Sequence, residues 1–321
     1  MRNQLILLSL AAVIGLTVSC KKKETEEPEP VVESTIDDST KQFSDDGNRY
    51  KSASDEANDD ADAAVNSVVS FGRGIKSPAA SISSMCGFTI DSSLANQKIL
   101  TLVFDSTTYC WSPSRIRAGK IKVQLTQGNH WGDAGSVLTI TYMNYRVIYF
   151  PNNQPYHLVF NGVKTYENVS GVPIDFWLGN APIIYKERAN NILVDFNNGA
   201  GQSVWNSARR ITWTYPQMTH LTFSVIGDTT FNGYSSVDSW GTNRYSQSFV
   251  TYYNTALVTN THCALWRPMQ GELVHHVNNN DYVLNFGVRP DGGPRTDDCG
   301  YGWKITWTPQ GGNQTFIVIS Y

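Results

Sequence analysis

The side chains of this 321-residue sequence that could carry chemistry are mainly its nine tryptophans, six histidines and scattered carboxylates. Trp111, Trp131, Trp205 and Trp240 stand beside Gly, Asn, Ser or Asp in loop-like contexts. A flat ring with polar neighbours can stack on a sugar, and a lid packed over a sheet end is the competing role. Trp213, Trp303 and Trp307 alternate within apolar runs and read as core. His130, His157, His220 and His262 are isolated, and His275 and His276 are adjacent. Neighbours on a strand point to opposite faces, and no His-Glu-x-x-His helix marks a zinc protease. Asn278-Asn279-Asn280-Asp281 and Asp291 to Asp298 offer oxygen ligands that suit Ca²⁺, without EF-hand spacing. The same residue types are ordinary turn formers. No Gly-x-Ser-x-Gly elbow is present. Asp175, Glu187, Asp195 and Glu272 show no pattern that would pair them for glycoside hydrolysis. The sequence therefore assigns no catalytic residue and no metal site, and Ca²⁺ is the one cofactor the loops leave open.

The cysteines carry the clearer chemistry. Arg2 precedes an apolar run from Leu5 to Val18, shorter than the roughly 20 residues a helical membrane crossing needs. Residues 1–19 read as a secretory signal. Leu16-Thr17-Val18-Ser19-Cys20 resembles the bacterial lipobox, with Thr17 where leucine is usual. Cys20 is then the acylated N-terminus of the mature chain. That also explains an odd count of five cysteines, because it leaves Cys86, Cys110, Cys263 and Cys299 for two disulfides.

Residues 20–79 read as an acidic low-complexity tether. Lys21 to Ala79 holds 14 acidic and 8 basic residues, against 14 and 16 from residue 80 onward. Proline and like charge predict an extended, disordered spacer. Within it, Ala53, Ala57, Ala61, Ala64, Val65 and Val68 predict one short helix over 52–70, solvated rather than packed.

Beyond Pro78 the hydrophobic period becomes two. Runs at 98–105, 119–126, 136–142, 210–215, 220–226, 248–253, 271–277, 281–286, 302–308 and 314–320 predict strands. Residues 80–321 are expected to form an antiparallel all-β body of sandwich type, either one long sandwich or stacked subdomains 80–205 and 206–321. A strand, a cysteine-bearing loop and a strand recur in each half, which suggests Cys86–Cys110 and Cys263–Cys299. Spacing alone leaves all three connectivities open.

Several short motifs are similar to a group of exported Bacteroidota lipoproteins of unknown function. They are Arg115-Ile116-Arg117-Ala118-Gly119-Lys120-Ile121 and Gly135-Ser136-Val137 with Thr139-Ile140-Thr141-Tyr142 and Asn144-Tyr145. Gly241-Thr242-Asn243-Arg244 before Phe249, Cys263-x-x-Trp266 with Gly271, and the loop ending at Cys299 extend the likeness. Gly300 stands where the group has Asp. The resemblance implies a β-rich envelope protein and brings no activity with it.

The expected function is that of a lipid-anchored envelope protein, placed at the outer membrane, whose β body is a non-enzymatic binding or structural module. A carbohydrate-binding surface lipoprotein is the alternative and an envelope hydrolase the second. The expected partners are the membrane, through the lipid, and a surface ligand. Nucleic acid is not among them, because the nearly neutral body lacks a basic stripe.

Overall fold

The structure is a computed structural model that describes residues 38–71, 86–111, 114–150, 154–171, 181–197, 199–215, 220–264, 267–296, 299–309 and 312–321. Cys20, the signal segment and the rest of the tether lie outside these residues. Among the described residues, no helix is long and apolar enough to cross a membrane.

The strands are β1 Phe88–Asp91, β2 Ile99–Trp111, β3 Ser114–Gln127, β4 Ser136–Tyr149, β5 Tyr156–Asn168, β6 Ile183–Phe196 and β7 Gln202–Thr214. They continue with β8 Thr222–Gly227, β9 Thr229–Phe231, β10 Tyr234–Thr242, β11 Ser248–Asn260 and β12 Gln270–Val277, then β13 Asn280–Val288, β14 Gly302–Trp307 and β15 Thr315–Ser320. The all-β class is as the alternation predicts, and the strands join one antiparallel meander in nearly sequential order. β8 and β10 share one place between β7 and β11. β10 pairs the first half of β7 and β8 the second. The boundary considered at 205/206 falls inside β7, so the sheet runs through it without a break. Residues Ile36–Tyr321 form one unit.

β5 and β6 have no counterpart among the predicted strands. Their inward faces carry Lys164 and Glu187, so the alternation of apolar and polar residues fails there. A second disturbance runs through the long strands. Register shifts fall at Ala118/Lys120, Tyr142/Tyr145, Asn161/Val163 and Ala189/Ile192 on neighbouring strands. Positive φ values at Gly119, Asn144, Gly162 and Asn191 mark the extra residues. Each bulge bends its strand and resets which residues face inward. Thus Leu138, Ile140 and Tyr142 point to the same side as Tyr145 and Val147. At Gly119, a Cβ would run into the Asn144 carbonyl, so only glycine fits.

That inward face is covered by a helix. α1 spans Asp38–Ser67, thirty residues, which corrects the expectation of a short solvated helix over 52–70. Tyr50, Ala53, Ala57, Ala61, Ala64 and Val65 form a stripe at most 3% exposed. They recur at helical spacing, and alanine lets the helix axis approach the sheet closely. The stripe joins one core cluster with Leu100, Ile121, Ile140, Phe160, Val194, Ile211 and Tyr253. A helix with so little side-chain bulk gains its stability from this burial, since isolated helices are marginal in water.

The disulfides are Cys86–Cys110 and Cys263–Cys299, the pairing suggested by the two halves. In the chain-entropy model each contributes about 3–4 kcal/mol. The first ties the chain that follows α1 to the end of β2.

Candidate functional site

Two groups of polar and aromatic side chains stand out, one on each face of the sheet. On the inner face, α1 meets the strands through a ladder of ion pairs. Asp46 takes a two-pronged contact from Arg244, at 2.6 and 2.7 Å. Lys51 pairs with Asp238 at 2.7 Å, Asp55 with Arg209 at 2.5 Å and Glu56 with Arg115 at 2.7 Å. Asp60 pairs with Arg117. Glu187 on β6 is the hub. Its Oε1 accepts from Arg209 Nη2 at 3.0 Å and Ser207 Oγ at 3.2 Å. Its Oε2 accepts from Asn58 Nδ2 at 2.6 Å and Lys164 Nζ at 3.2 Å. The Lys164 ammonium also donates to the Ser54 carbonyl, at 2.7 Å.

The electrostatics follow from burial and pairing. Burial pushes Glu187 up, but Arg209 and Lys164 outweigh it and hold the carboxyl below its usual range. Burial pushes Glu56 up to about 7 against the pull of Arg115 and Arg117. It pushes Asp60 up to about 6 against Arg117. Burial pushes Lys164 down, opposed by Glu187. Both Glu187 and Lys164 are closed off from solvent, and their polar atoms are engaged in holding α1. Such a set clamps a helix; it has no access for a substrate.

The outer face of β10–β13 is different. Register places Trp240, Val250, His276 and Asp281 in one row across four strands. Tyr252, Val274, Val283 and Thr306 form the next row, and Glu272, Asn285 and Lys304 the third. The rings are half-buried and stacked. Phe231 lies 5.1 Å from Trp240, and Tyr234 lies 4.8 Å from Tyr252 and 5.5 Å from His276. Val237, Val250 and Val274 between them are buried. His276 Nδ1 lies 2.7 Å from Asp281 Oδ1. Glu272 accepts from Asn254 at 2.5 Å and from Asn285 at 2.6 Å, which fixes its carboxylate. Burial pushes the Tyr252 phenol up, with Asp281, Tyr234 and Glu272 adding to it, so the hydroxyl stays a neutral donor. Ring faces beside fixed amides and carboxylates suit a flat polyhydroxylated ligand.

The four singled-out tryptophans separate. Trp131 is fully buried near Tyr166 and Tyr185, and its indole N–H donates to Asp62 on α1. Trp205 is 1% exposed, stacked 4.5 Å from Tyr50 of α1, with the tilted Phe249 ring 4.6 Å away. Neither can meet a sugar, because the helix occupies the face they present. This corrects their candidacy as a platform. Of the three whose side chains are described, Trp240 alone joins the outer face; the Trp111 side chain lies outside the described residues.

His275 and His276 do face opposite ways. His275 is buried, with Nδ1 2.8 Å from Thr251 Oγ1, and burial pushes its pKa down to about 3. The loops considered for Ca²⁺ carry turn chemistry. Asn278 and Asn279, both at positive φ, close the β12–β13 hairpin. Asp291 accepts from the Gly293 N–H at 2.9 Å and pairs with Arg289 at 2.6 Å, and Asp297 and Asp298 are outside the described residues. His262, Cys263 and Cys299 cluster within 4.8 Å, but both sulfurs are spent in the disulfide.

Sequence reasoning missed Phe231, Tyr234, Tyr252 and Asn254 as site residues. The one signal was a run of aromatic residues alternating with small polar ones, which a buried sheet face also produces. No protein-family model, curated protein or solved structure matches the chain.

Proposed function

We propose that this chain is a lipid-anchored cell-envelope protein whose β body is a non-enzymatic binding module, with carbohydrate as its ligand. The anchor rests on the lipobox-like segment ending at Cys20, and the likeness to exported Bacteroidota lipoproteins favours the outer membrane as its location. The observation that carries the ligand class is the half-exposed cluster of Trp240, Tyr234, Tyr252 and His276, next to the fixed carboxylates of Asp281 and Glu272. A sugar ring has one apolar face for stacking and hydroxyls around its edge for amides and carboxylates.

A glycan array probed with the chain should give binding to a coherent set of oligosaccharides, lost in a Trp240→Ala, Tyr252→Ala double variant that keeps its circular dichroism. Silence across the array, or binding indifferent to those two rings, would remove carbohydrate as the ligand. The anchor is tested separately: mass spectrometry of the mature N-terminus should find acyl chains on Cys20, and an unmodified terminus in the soluble fraction would overturn it.

A further inference from the structure

The sheet ends on a strand that lacks the usual protections of an edge. β15 reads Thr315-Phe316-Ile317-Val318-Ile319-Ser320 and lies last in the strand order. It carries no charge, no proline and no register shift against β14. Phe316 is 47% and Ile319 36% exposed. Edge strands in soluble proteins are normally blunted by one of those devices, because a free ladder templates pairing with another chain. The opposite end of the sheet, β1, is four residues long and ends in Asp91.

The direction of the free ladder follows from the last hydrogen bond. The Tyr321 N–H donates to the Tyr301 carbonyl at 3.2 Å. Antiparallel pairs alternate between hydrogen-bonded and non-bonded positions. The pairs Trp303↔Ile319 and Ile305↔Ile317 are therefore bonded inward. The main-chain groups of Phe316, Val318 and Ser320 then point away from β14, and among the described residues no strand pairs with them.

We propose that β15 is a self-association edge, joining a second copy of this chain by antiparallel β15–β15 pairing about a two-fold axis at Val318. Centring the axis there sets Val318 opposite its own copy and Phe316 opposite Ser320, with about six main-chain hydrogen bonds across the dyad. Ile317 then faces Ile319 on the other side of the sheet. The choice of a second copy rests on charge. At a two-fold axis, any charged residue near the centre meets itself, and like charges directly opposite are destabilising. β15 has none. Pairing β15 with β1 instead would be head-to-tail, giving rings or open filaments, and would run over a four-residue strand that ends in Asp91. The symmetric pairing closes.

The arrangement also has a consequence for the outer face. The side chains of Phe316 and Val318 lie in the rows of Thr306 and Lys304, on the same side as Trp240 and Tyr252. A two-fold axis perpendicular to the sheet would place both copies' outer faces on one side of a doubled sheet. The pairing does not depend on what that face binds.

The test is the oligomeric state of the full chain, by sedimentation velocity over a range of concentrations. A concentration-dependent dimer is expected. Val318→Lys, which sets two ammonium groups against each other at the axis, should weaken it by about tenfold or more, while Val318→Thr should retain it. A chain that is monomeric at all concentrations, or a dimer indifferent to Val318→Lys, would overturn the proposal. Should the lysine variant fail to fold, Val318→Cys with a short bis-maleimide gives the second reading. Cross-linked dimer above the level of a cysteine at exposed Leu94 on the other end of the sheet supports the edge, and equal yields refute it.

Discussion

Trp205 and Trp240 stand one register step apart on paired strands, because Trp240 lies opposite Asn206 and Gly241 opposite Trp205. They nevertheless have different fates. Trp205 faces inward and is closed over by Tyr50 of α1, whereas Trp240 faces outward and keeps an accessible edge beside Phe231. The same contrast holds for the charges around them. Inner carboxylates such as Glu187 are desolvated and surrounded by cations, while outer ones such as Asp281 remain exposed and meet neutral or titratable partners. One face uses its polar groups to hold an element in place and the other presents them. A side chain's type does not decide between these roles. What decides is whether α1 lies over it.

The largest expected effects break the inner face. Glu187→Ala leaves Lys164 and Arg209 buried without their shared anion, and should destabilise the fold by about 3–5 kcal/mol in urea unfolding. Trp205→Ala should cost a similar amount through the cavity it opens. A loss under about 1 kcal/mol for either would mean that α1 is not held as described.

Next comes pH. The folded-state pKa values of Glu56, about 7, and Asp60, about 6, lie above their ordinary values of 4.5 and 3.8. A raised acid favours the folded state while it is protonated, so stability should fall as pH rises from about 4 to 7, by up to about 3 kcal/mol for each of the two groups. Asp59, which burial and the neighbouring carboxylates push up to about 8, extends the fall to about pH 8. Glu187 works in the opposite sense, since its depressed pKa gives stability that is lost in acid, below about pH 4. Melting temperature should therefore peak near pH 4. Glu56→Gln should make the alkaline limb shallower, leaving the part due to Asp60 and Asp59, and leave the acid limb alone; a melting temperature that rises steadily to pH 8 would contradict the desolvation of all three acids.

The smallest effect on stability belongs to Trp240→Ala, within about 1 kcal/mol because the ring is only partly buried. Its effect on ligand binding should be the larger one. If it unfolds the chain as readily as Trp205→Ala does, the outer face is core and the contrast between the two faces fails.

Much of the sheet could be read from the residues. The strands with clean alternation, such as β3 and β4, were legible because one face is buried and the period is two. β5 and β6 were not, because Lys164 and Glu187 occupy inward positions where the pattern demands an apolar residue. The bulges hid the phase as well, since each extra residue at Asn144 or Asn191 reverses the alternation midway. The face of Tyr234 and Tyr252 was invisible for a related reason, as a row across four strands is assembled from residues far apart in the chain.

By itself, the sequence determined the class of fold, the opposite facing of His275 and His276, and the helical spacing of the alanines, and it suggested the two disulfide pairs, although Cys110 lies in strand β2 and not in a loop. These are local properties, set by period, turn chemistry and residue type. Only the tertiary structure decided that the acidic segment around α1 is a matched partner for Arg115, Arg117, Arg209 and Arg244 instead of a self-repelling spacer. Charge counted along a chain cannot distinguish repulsion within a segment from attraction to a distant one. That attraction becomes strong only when folding removes the water between them.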